Sequence, residues 1–514
     1  MTVFARNPGR VRALLALALT AVLAFAALTA HFATARAATA QAAPRLLQLS
    51  SDPYTAATCT ASATTYHRTE VEPDTFAFGS TIVATEQVAR VFNGGACDIG
   101  FATSTNGGKT WTHGVLPGTT VFATPPGIYA RTSDPTVAFD ARHNVWLISY
   151  LGLKTLTDVD VLVSRSTDGG LTWGLPVAVN ASGDFNDKNW TVCDNTTSSP
   201  FFGNCYTEFD DVTFQDLEQM STSSDGGLTW GAAQPTANHA HGLGGQPVVQ
   251  PSGTVVVPYN GFQGRAGAID AFTSSDGGAS WSNASIVSLI SFHGIAGNIR
   301  AGTLPSAEID AAGTVYVAWA DCRFEAGCAA NDIVFSTSSD GVNWTAPARV
   351  PADAVGSGVD HFLPGLGVDK ATAGSSAHLG LVYYFYPVAN CTTATCQLDA
   401  GFISSTDGGA TWSARQQLAG PMTLTWLPLT SQGYMVGDYM STSFSGGPAY
   451  PALMSATAPT SGTTCGEVPD NCNEPLNTIA GGISVTGGRN SSHGDVVVVL
   501  PDNTPLYTPP PTDQ

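Results

Sequence analysis

The sequence predicts an all-β fold assembled from repeats of one small unit. The phrase STDGGLTW at 166–173 recurs as STNGGKTW (104–111), SSDGGLTW (223–230), SSDGGASW (274–281), SSDGVNW (338–344) and STDGGATW (405–412). The chain contains 55 Gly and 31 Pro, and only 12% of its residues are charged. This composition is typical of many short strands joined by tight turns and disfavours long helices.

Each repeat predicts four strands. The tryptophans that end successive phrases are between 51 and 68 residues apart, a period that indicates one supersecondary unit used repeatedly. Residues 134–151 alternate as two strands joined by a turn, 159–166 read as a third strand, and 175–180 as a fourth. Four-stranded units arranged radially form a β-propeller.

The number of units favours seven blades, with six as the close alternative. The strand pattern recurs at 246–259 and 306–320, and again at 437–456, where no phrase follows. Six phrases plus this degenerate unit make seven. Six remains open because the last segment could instead close the ring with strands from the other end of the chain.

The phrase itself predicts a structural turn. Its acidic residue, or Asn in the first copy, can accept hydrogen bonds from the amides of the turn, and its glycines adopt backbone angles closed to other residues. The tryptophan then buries a large apolar face beside the hairpin. The residues assigned this structural role are Asn106, Asp168, Asp225, Asp276, Asp340, Asp407, Trp111, Trp173, Trp230, Trp281, Trp344 and Trp412.

The phrase resembles the Asp box, or BNR repeat, of the sialidase (neuraminidase) superfamily. The resemblance covers about 310 residues and implies a β-propeller whose boxes lie at hairpin turns on the rim, away from the catalytic centre. It also implies a site in which three arginines clamp a sugar carboxylate, a tyrosine activated by a glutamate acts as nucleophile, and an aspartate acts as acid and base. The F/Y-R-I-P signature found early in that family is missing.

Candidates for these roles lie at the predicted beginnings of the innermost strands, where propellers usually bind ligands. The catalytic candidates are Tyr439 as nucleophile, Glu308 as its base, and Asp134 or Asp74 as acid and base. The substrate-binding candidates are Arg68, Arg131, Arg300 and Arg323.

Structural interpretations compete with these roles. Tyr439 alternates with Asp438 along a strand, so it can equally be a packed aromatic residue. Arg131 and Arg300 can be ion-pair residues, and Arg323 can pair with Glu325. The aromatic run YYFYP at 383–387 could stack on sugars, but we favour a buried strand.

We predict no metal or cofactor, with structural calcium as the alternative. The acidic residues that raise that alternative are Glu208, Asp210, Asp211, Asp216 and Glu218. They lack EF-hand spacing, and we interpret them as a solvated loop. No H-E-x-x-H pattern or C-x-x-C pair indicates zinc.

The N-terminal residues predict export. Three arginines precede an apolar run at 13–30, and small residues at 35–43 offer cleavage points; an uncleaved anchor is the alternative. The predicted organisation is a signal peptide at 1–37, an Ala/Thr-rich leader at 38–54, one propeller domain at 55–500 and a Pro-rich tail at 501–514. We expect a secreted protein without a membrane span after cleavage.

Ten cysteines agree with an oxidising compartment and predict five disulfides. The predicted pairs are Cys59 with Cys97, Cys193 with Cys205, Cys322 with Cys328, Cys391 with Cys396, and Cys465 with Cys472. A net charge of -20 disfavours nucleic acid as a partner.

The functional prediction is therefore a secreted, sialidase-like propeller that acts on extracellular glycans, with exo-α-sialidase-type glycoside hydrolysis as the implied reaction. The alternative is a non-catalytic propeller that binds glycan or protein at the cell surface. We expect a monomer whose partner is an extracellular glycan or glycoprotein.

Overall fold

A computed structural model describes residues 44–262, 267–488 and 490–491. The predicted signal peptide and Pro-rich tail lie outside the described residues. The fold is all-β, as predicted, with 45% strand and 3% helix. Its helical turns are short 3-10 segments at Val212–Phe214, Ala296–Asn298, Ala326–Cys328, Gly374–Ser376 and Leu424–Trp426. Within the described parts of the chain, no helix is long and apolar enough to span a membrane.

The strands are short and follow one another along the whole described chain. The first half contains β1 (Leu46–Gln48), β2 (Glu70–Phe78), β3 (Thr81–Arg90), β4 (Ala96–Ser104), β5 (Thr112–Val115), β6 (Arg131–Asp140), β7 (Val145–Leu153), β8 (Val159–Ser166), β9 (Val177–Asn180), β10 (Asn186–Cys193), β11 (Cys205–Asp211), β12 (Leu217–Ser223), β13 (Gln234–Pro235), β14 (Gly242–Leu243), β15 (Val248–Val249), β16 (Val255–Gly261) and β17 (Ala268–Ser274).

The second half contains β18 (Ser285–Leu289), β19 (Ser306–Ile309), β20 (Val315–Asp321), β21 (Asp332–Ser338), β22 (Ala348–Arg349), β23 (Asp360–Val368), β24 (Leu379–Tyr386), β25 (Gln397–Ser405), β26 (Thr411–Trp412), β27 (Gln416–Thr423), β28 (Leu429–Thr430), β29 (Gly433–Tyr434), β30 (Ser441–Phe444), β31 (Ala449–Met454), β32 (Leu476–Ile479) and β33 (Asn490–Ser491).

Consecutive strands pair antiparallel and form a succession of small sheets. The sheets have the orders β10-β11-β12-β13, β14-β16-β17-β18 with β15 beside β16, β19-β20-β21-β22, β23-β24-β25-β27 and β1-β32-β31-β30. The ladders β2-β3-β4-β5 and β6-β7-β8-β9 are joined by one residue pair, Ala96 with Thr132, and β26-β33 and β28-β29 are two-stranded. β1 lies within the segment predicted as a leader and pairs with β32 near the other end of the chain.

One strand of each of these ladders contacts a strand of the next. β2 contacts β6, β6 contacts β10, β10 contacts β15, and the series continues through β19 and β23 to β30, which contacts β2. The inner strands, such as β6 and β7, are buried on both faces, whereas outer strands such as β5 and β18 are largely exposed. The YYFY run forms β24, and its four side chains are fully buried, which confirms the interpretation as a strand.

The six Asp boxes occupy equivalent positions in six strand ladders, two of which, β2-β3-β4-β5 and β6-β7-β8-β9, belong to one sheet. Each begins at the serine that ends the third strand of its ladder, as at the end of β8. In that box the Asp168 Oδ1 atom accepts hydrogen bonds from the amides of Leu171 (3.1 Å) and Thr172 (3.0 Å). Both glycines, Gly169 and Gly170, have positive φ angles, which favour glycine. The predicted turn is therefore confirmed.

All five predicted disulfides are present. They join Cys59 to Cys97, Cys193 to Cys205, Cys322 to Cys328, Cys391 to Cys396 and Cys465 to Cys472. Each bond closes a loop or joins neighbouring strands, so the bonds reinforce contacts that are already local.

Candidate functional site

Four of the strands contain the same backbone irregularity near their beginnings: in β23 the register breaks between Phe362 and Gly365, and in three others the break contains a charged residue. The ladder register breaks between Val71 and Asp74 in β2, between Ser133 and Thr136 in β6, and between Asp187 and Trp190 in β10. The charged residue inside each break has a positive φ angle: 57° for Glu72, 49° for Asp134 and 48° for Lys188. Such bulges redirect side chains, and strained backbone of this kind concentrates at functional sites.

The three bulges bring their side chains together in a buried charged hub, which comprises Glu72, Asp134, Lys188, Arg300 and Asp438. The Lys188 Nζ atom lies 2.7 Å from Asp438 Oδ2, 3.1 Å from Asp134 Oδ2 and 3.6 Å from Glu72 Oε1. Arg300 binds both Asp438 oxygens, with its Nε atom 2.7 Å from Oδ1. The hub thus contains three carboxylates and two cations, and each of these five residues is at least 94% buried.

Tyr439 lies beside this hub and is fully enclosed. Its hydroxyl donates a hydrogen bond to the Pro135 carbonyl oxygen (3.1 Å), and its ring packs edge-on against Trp190, with 5.2 Å between ring centroids. Burial, followed by the negative charges of Glu72 and Asp134, holds the pKa of the phenol well above its usual value. The phenol is therefore protonated at neutral pH.

A cavity of about 540 Å³ opens where the innermost strands end. We call it the strand-end cavity; residues of β2, β10, β15, β19, β23 and β30 line it. Phe76, Phe78 and Phe444 contribute aromatic surface, and Glu308 and Lys370 contribute charge. A narrower space of about 40 Å³, which shares part of this lining, continues inward past Asp74 and Trp190.

Two carboxylates that the sequence singled out, Asp74 and Glu308, line the narrow space together. Asp74 is buried and its Oδ2 atom accepts a hydrogen bond from the Val137 amide (2.7 Å). Burial raises the pKa of Asp74 to about 7, and repulsion from Glu308 contributes. Burial also raises the pKa of Glu308, whereas Lys370, with its Nζ atom 3.7 Å from Glu308 Oε2, acts in the opposite direction.

The predicted arginines lie at separate places. Arg68 is exposed and donates to Asn473 Oδ1 (3.3 Å), whereas Arg131 is buried and donates to Gly94 O (2.7 Å). Arg300 belongs to the hub.

Arg323 also pairs with protein, but not with the expected residue. Its Nε atom lies 3.0 Å and its Nη2 atom 2.6 Å from the two oxygens of Asp321. The Glu325 carboxylate instead accepts the Gly356 amide (2.9 Å). The proposed Arg323–Glu325 pair is therefore wrong, because the loop turns the two side chains to different partners.

The acidic residues interpreted as a solvated loop lie in strands and turns inside the protein. Glu208, Asp210 and Asp211 belong to β11, Glu218 belongs to β12, and all four are buried. Asp210 pairs in register with Glu218, so their side chains share one face of the sheet. Burial, with repulsion from Asp216 and Asp270, raises the pKa of Glu218 to about 8. The loop interpretation is wrong, because four of these acidic residues belong to two paired strands, where a run of charges is not expected.

Sequence reasoning did not assign a role to Lys188 or Lys370, although one holds the hub together and the other lies in the cavity. The sequence did contain an indication of these roles. It has only four lysines and a net charge of -20, so each lysine is a candidate for a position that requires positive charge.

The repeated box at equivalent turns of successive antiparallel sheets defines an Asp-box repeat protein. Residues 155–363 match the family model described as a BNR repeat-like domain. A sialidase of Bacteroides fragilis is 27% identical over 161 residues, which is 26% of this chain and 28% of that protein. Over these residues the chain is similar to sialidase/BNR-repeat proteins. The aligned part spans little more than a quarter of that relative.

Solved structures with a similar fold are distant. A Hadza microbial sialidase is 13% identical, with 79% of this chain and 74% of that chain covered and a TM-score of 0.43. An α-L-arabinofuranosidase of Fusarium graminearum is 14% identical, with 70% and 96% covered and a TM-score of 0.43. An ulvan lyase is 11% identical, with 87% and 98% covered and a TM-score of 0.46.

Proposed function

We propose that this protein acts on extracellular glycans and that a sugar binds in the strand-end cavity. The observation that carries the proposal is the lining of that cavity. Its volume of about 540 Å³ falls in the range of small-molecule sites. Phe78, which is 44% exposed, offers aromatic surface on which sugars stack, and Glu308 and Lys370 offer charged groups that bind hydroxyls. The Lys370 Nζ atom lies 4.4 Å from the centroid of the Phe76 ring.

The scaffold of this proposal is a seven-bladed propeller with the cavity on its axis. The cyclic contacts from β2 through β30 and back to β2 support a ring of seven units. At the junction of the last and first units, the Tyr450 hydroxyl donates to the Gly107 carbonyl oxygen in the first box (2.9 Å). The five disulfides support secretion, and we propose that the secreted form is a monomer.

The reaction we propose is glycoside hydrolysis by a pair of carboxylates. A pKa of about 7 lets Asp74 hold a proton near neutral pH and donate it to the glycosidic oxygen as the bond to the sugar breaks. Glu308, beside Lys370, then acts as the second carboxylate, by attacking the anomeric carbon or by activating the water that is added.

Exo-α-sialidase-type hydrolysis is the finer form implied by the family resemblance. In that form Tyr439 is the nucleophile, Glu308 is its base, and Asp134 or Asp74 is the acid and base. The carboxylate of the sugar is bound by four arginines: Arg68, Arg131, Arg300 and Arg323. The protein contacts of these arginines and the hydrogen bond of Tyr439 favour the carboxylate pair instead.

A non-catalytic glycan- or protein-binding protein is the second candidate. The observation that favours it is the hydrogen bond from the Val137 amide to Asp74, which ties β6 to β2 and gives the carboxylate a structural role.

Hydrolysis of fluorogenic glycosides, with an α-sialoside among them, tests these proposals. Glu308→Gln and Asp74→Asn should each lower kcat/KM by about 100-fold or more, since general acid–base groups contribute that much. Asp369→Asn is the matched control, because Asp369 lines the same cavity. It and Tyr439→Phe should stay within about threefold of the parent.

The remaining outcomes separate the alternatives. Activity that is lost in Tyr439→Phe and Arg300→Ala but kept in Glu308→Gln would support the sialidase-type constellation. If the parent hydrolyses none of the glycosides but binds glycans on an array, the non-catalytic function stands. If it neither hydrolyses nor binds them, the proposed glycan function is wrong.

A further inference from the structure

Three side chains of metal-ligating types meet outside the lining of the strand-end cavity. Asp332 begins β21, Asp353 follows β22, and His361 lies in β23, so two neighbouring sheets contribute. One ligand atom from each residue lies within 4.8 Å of the other two. The His361 Nε2 atom is 3.8 Å from Asp353 Oδ2. None of the three lines the strand-end cavity.

The imidazole of His361 is oriented as in a metal ligand. It is 99% buried, and its Nδ1 atom lies 3.0 Å from the Asn331 carbonyl oxygen. A carbonyl only accepts hydrogen bonds, so Nδ1 carries the hydrogen and Nε2 presents its lone pair. Within the described chain, Nε2 has no hydrogen-bond partner. Burial lowers the pKa of this histidine to about 4, which keeps the ring neutral near pH 7.

The two carboxylates leave oxygens available beside that nitrogen. Arg349 Nη2 lies 2.8 Å from Asp332 Oδ1 and 3.0 Å from Asp353 Oδ1. Asp332 Oδ2 is buried and has no hydrogen-bond partner among the described residues, while Asp353 Oδ2 accepts the Ser357 hydroxyl (2.7 Å). One guanidinium thus pairs with two carboxylates, and the negative charge of Glu325 also repels that of Asp332. A buried lone pair and an unpaired buried oxygen are costly unless a cation binds them.

We propose that Asp332, Asp353 and His361 bind one divalent transition-metal ion, with Zn²⁺ as its representative. One imidazole nitrogen and two carboxylate oxygens are a ligand set that suits such ions. Three protein ligands leave a coordination position for water. The ion would join the sheet that contains β21 to the sheet that contains β23, and so stabilise their junction. This site departs from the sequence prediction of no metal.

The test uses the untagged full chain, stripped of metal with EDTA and titrated with Zn²⁺ by calorimetry. The wild type should bind one equivalent and show a higher Tm with Zn²⁺ than with EDTA. His361→Gln and Asp332→Asn should each weaken binding by about 100-fold or more, since each removes one of three protein ligands. His378→Gln is the matched control: its Nδ1 atom lies 4.0 Å from an Asp369 oxygen, but no third ligand from the described part of the chain is grouped with it.

A measurement on the wild type keeps the test decisive even if a variant does not fold. X-ray absorption of the Zn²⁺ complex should show one imidazole and otherwise oxygen ligands. The proposal is overturned if the wild type binds no Zn²⁺, if both ligand variants bind it as the wild type does, or if the spectrum shows two or more imidazoles. The His378→Gln control must bind like the wild type; weakened binding there would place the ion elsewhere.

Discussion

At the scale of single residues, Lys188 shows how a side chain can hold several distant parts of the chain together. Its ammonium group contacts carboxylates from β2 and β6, and it contacts Asp438 just before β30. All of these groups are buried. A buried charge is tolerable only when it is paired, so removal of the shared cation leaves three carboxylates to repel one another.

Lys188→Met should therefore be strongly destabilising, by about 3–5 kcal/mol in the free energy of unfolding. Lys154→Met is the matched control, because Lys154 also contacts two carboxylates, Asp158 and Asp160, but remains partly exposed. It should cost no more than about 1 kcal/mol. Urea unfolding measures both; equal costs for the two variants would contradict the structural importance of the hub.

At the scale of elements, the Asp box turns a hairpin and attaches it to the preceding sheet. In the second box the Thr103 hydroxyl of β4 donates to the Gly170 carbonyl oxygen (2.6 Å), and in the third the Arg165 Nε atom donates to Gly226 O (2.6 Å). The first box uses Asn106 in place of aspartate and keeps the same geometry. Its Oδ1 atom accepts the amides of Lys109 (3.1 Å) and Thr110 (3.0 Å).

Asp168→Asn should therefore be nearly neutral, whereas Asp168→Ala should lower the free energy of unfolding by about 1–2 kcal/mol, since it strands amides that the carboxylate now binds. Asparagine can retain both amide contacts, as Asn106 does. Thermal or urea unfolding of the two variants checks the difference. An asparagine variant as unstable as the alanine variant would show that the negative charge, rather than the hydrogen-bond geometry, holds the turn.

At the scale of the whole molecule, the interior contains many carboxyl groups that favour protons. Burial raises the pKa of Glu70, Asp74 and Asp98 to about 7. Burial, with repulsion from Asp216 and Asp270, raises that of Glu218 to about 8. In the unfolded chain such groups titrate near pH 4. Between about pH 4 and 8 the folded state therefore binds more protons than the unfolded state, and stability must fall as the pH rises.

We expect the free energy of unfolding to be larger at pH 5 than at pH 8. Each such carboxyl contributes at most about 1.4 kcal/mol per pH unit within its window. Glu218→Gln should flatten this dependence. The control Glu467→Gln should not, since Glu467 is exposed and its pKa is lowered. Urea unfolding across this range checks the sign, and stability that rises toward pH 8 would contradict the assignment of these groups as protonated.

Features that depend on neighbours in sequence were predictable. The Asp168 carboxylate binds groups three and four residues ahead of it, so the box can be interpreted without knowledge of the fold. Four of the five disulfides close separations of 5 to 12 residues, and their pairing followed from proximity. The alternation of apolar residues likewise predicted an all-β chain.

Features that depend on distant partners were not predictable. Arg300 and Asp438 are 138 residues apart, and Lys188 and Asp438 are 250 apart, so the sequence listed the charges without showing which ones meet. The bulges that redirect Glu72, Asp134 and Lys188 are small departures from an ordinary strand. The sequence by itself determined the repeating unit, its turns and its covalent links, because these are local interactions. Only the tertiary structure decided which side chains share the hub, the strand-end cavity and the cluster at His361, because burial and pairing are set by how the sheets pack.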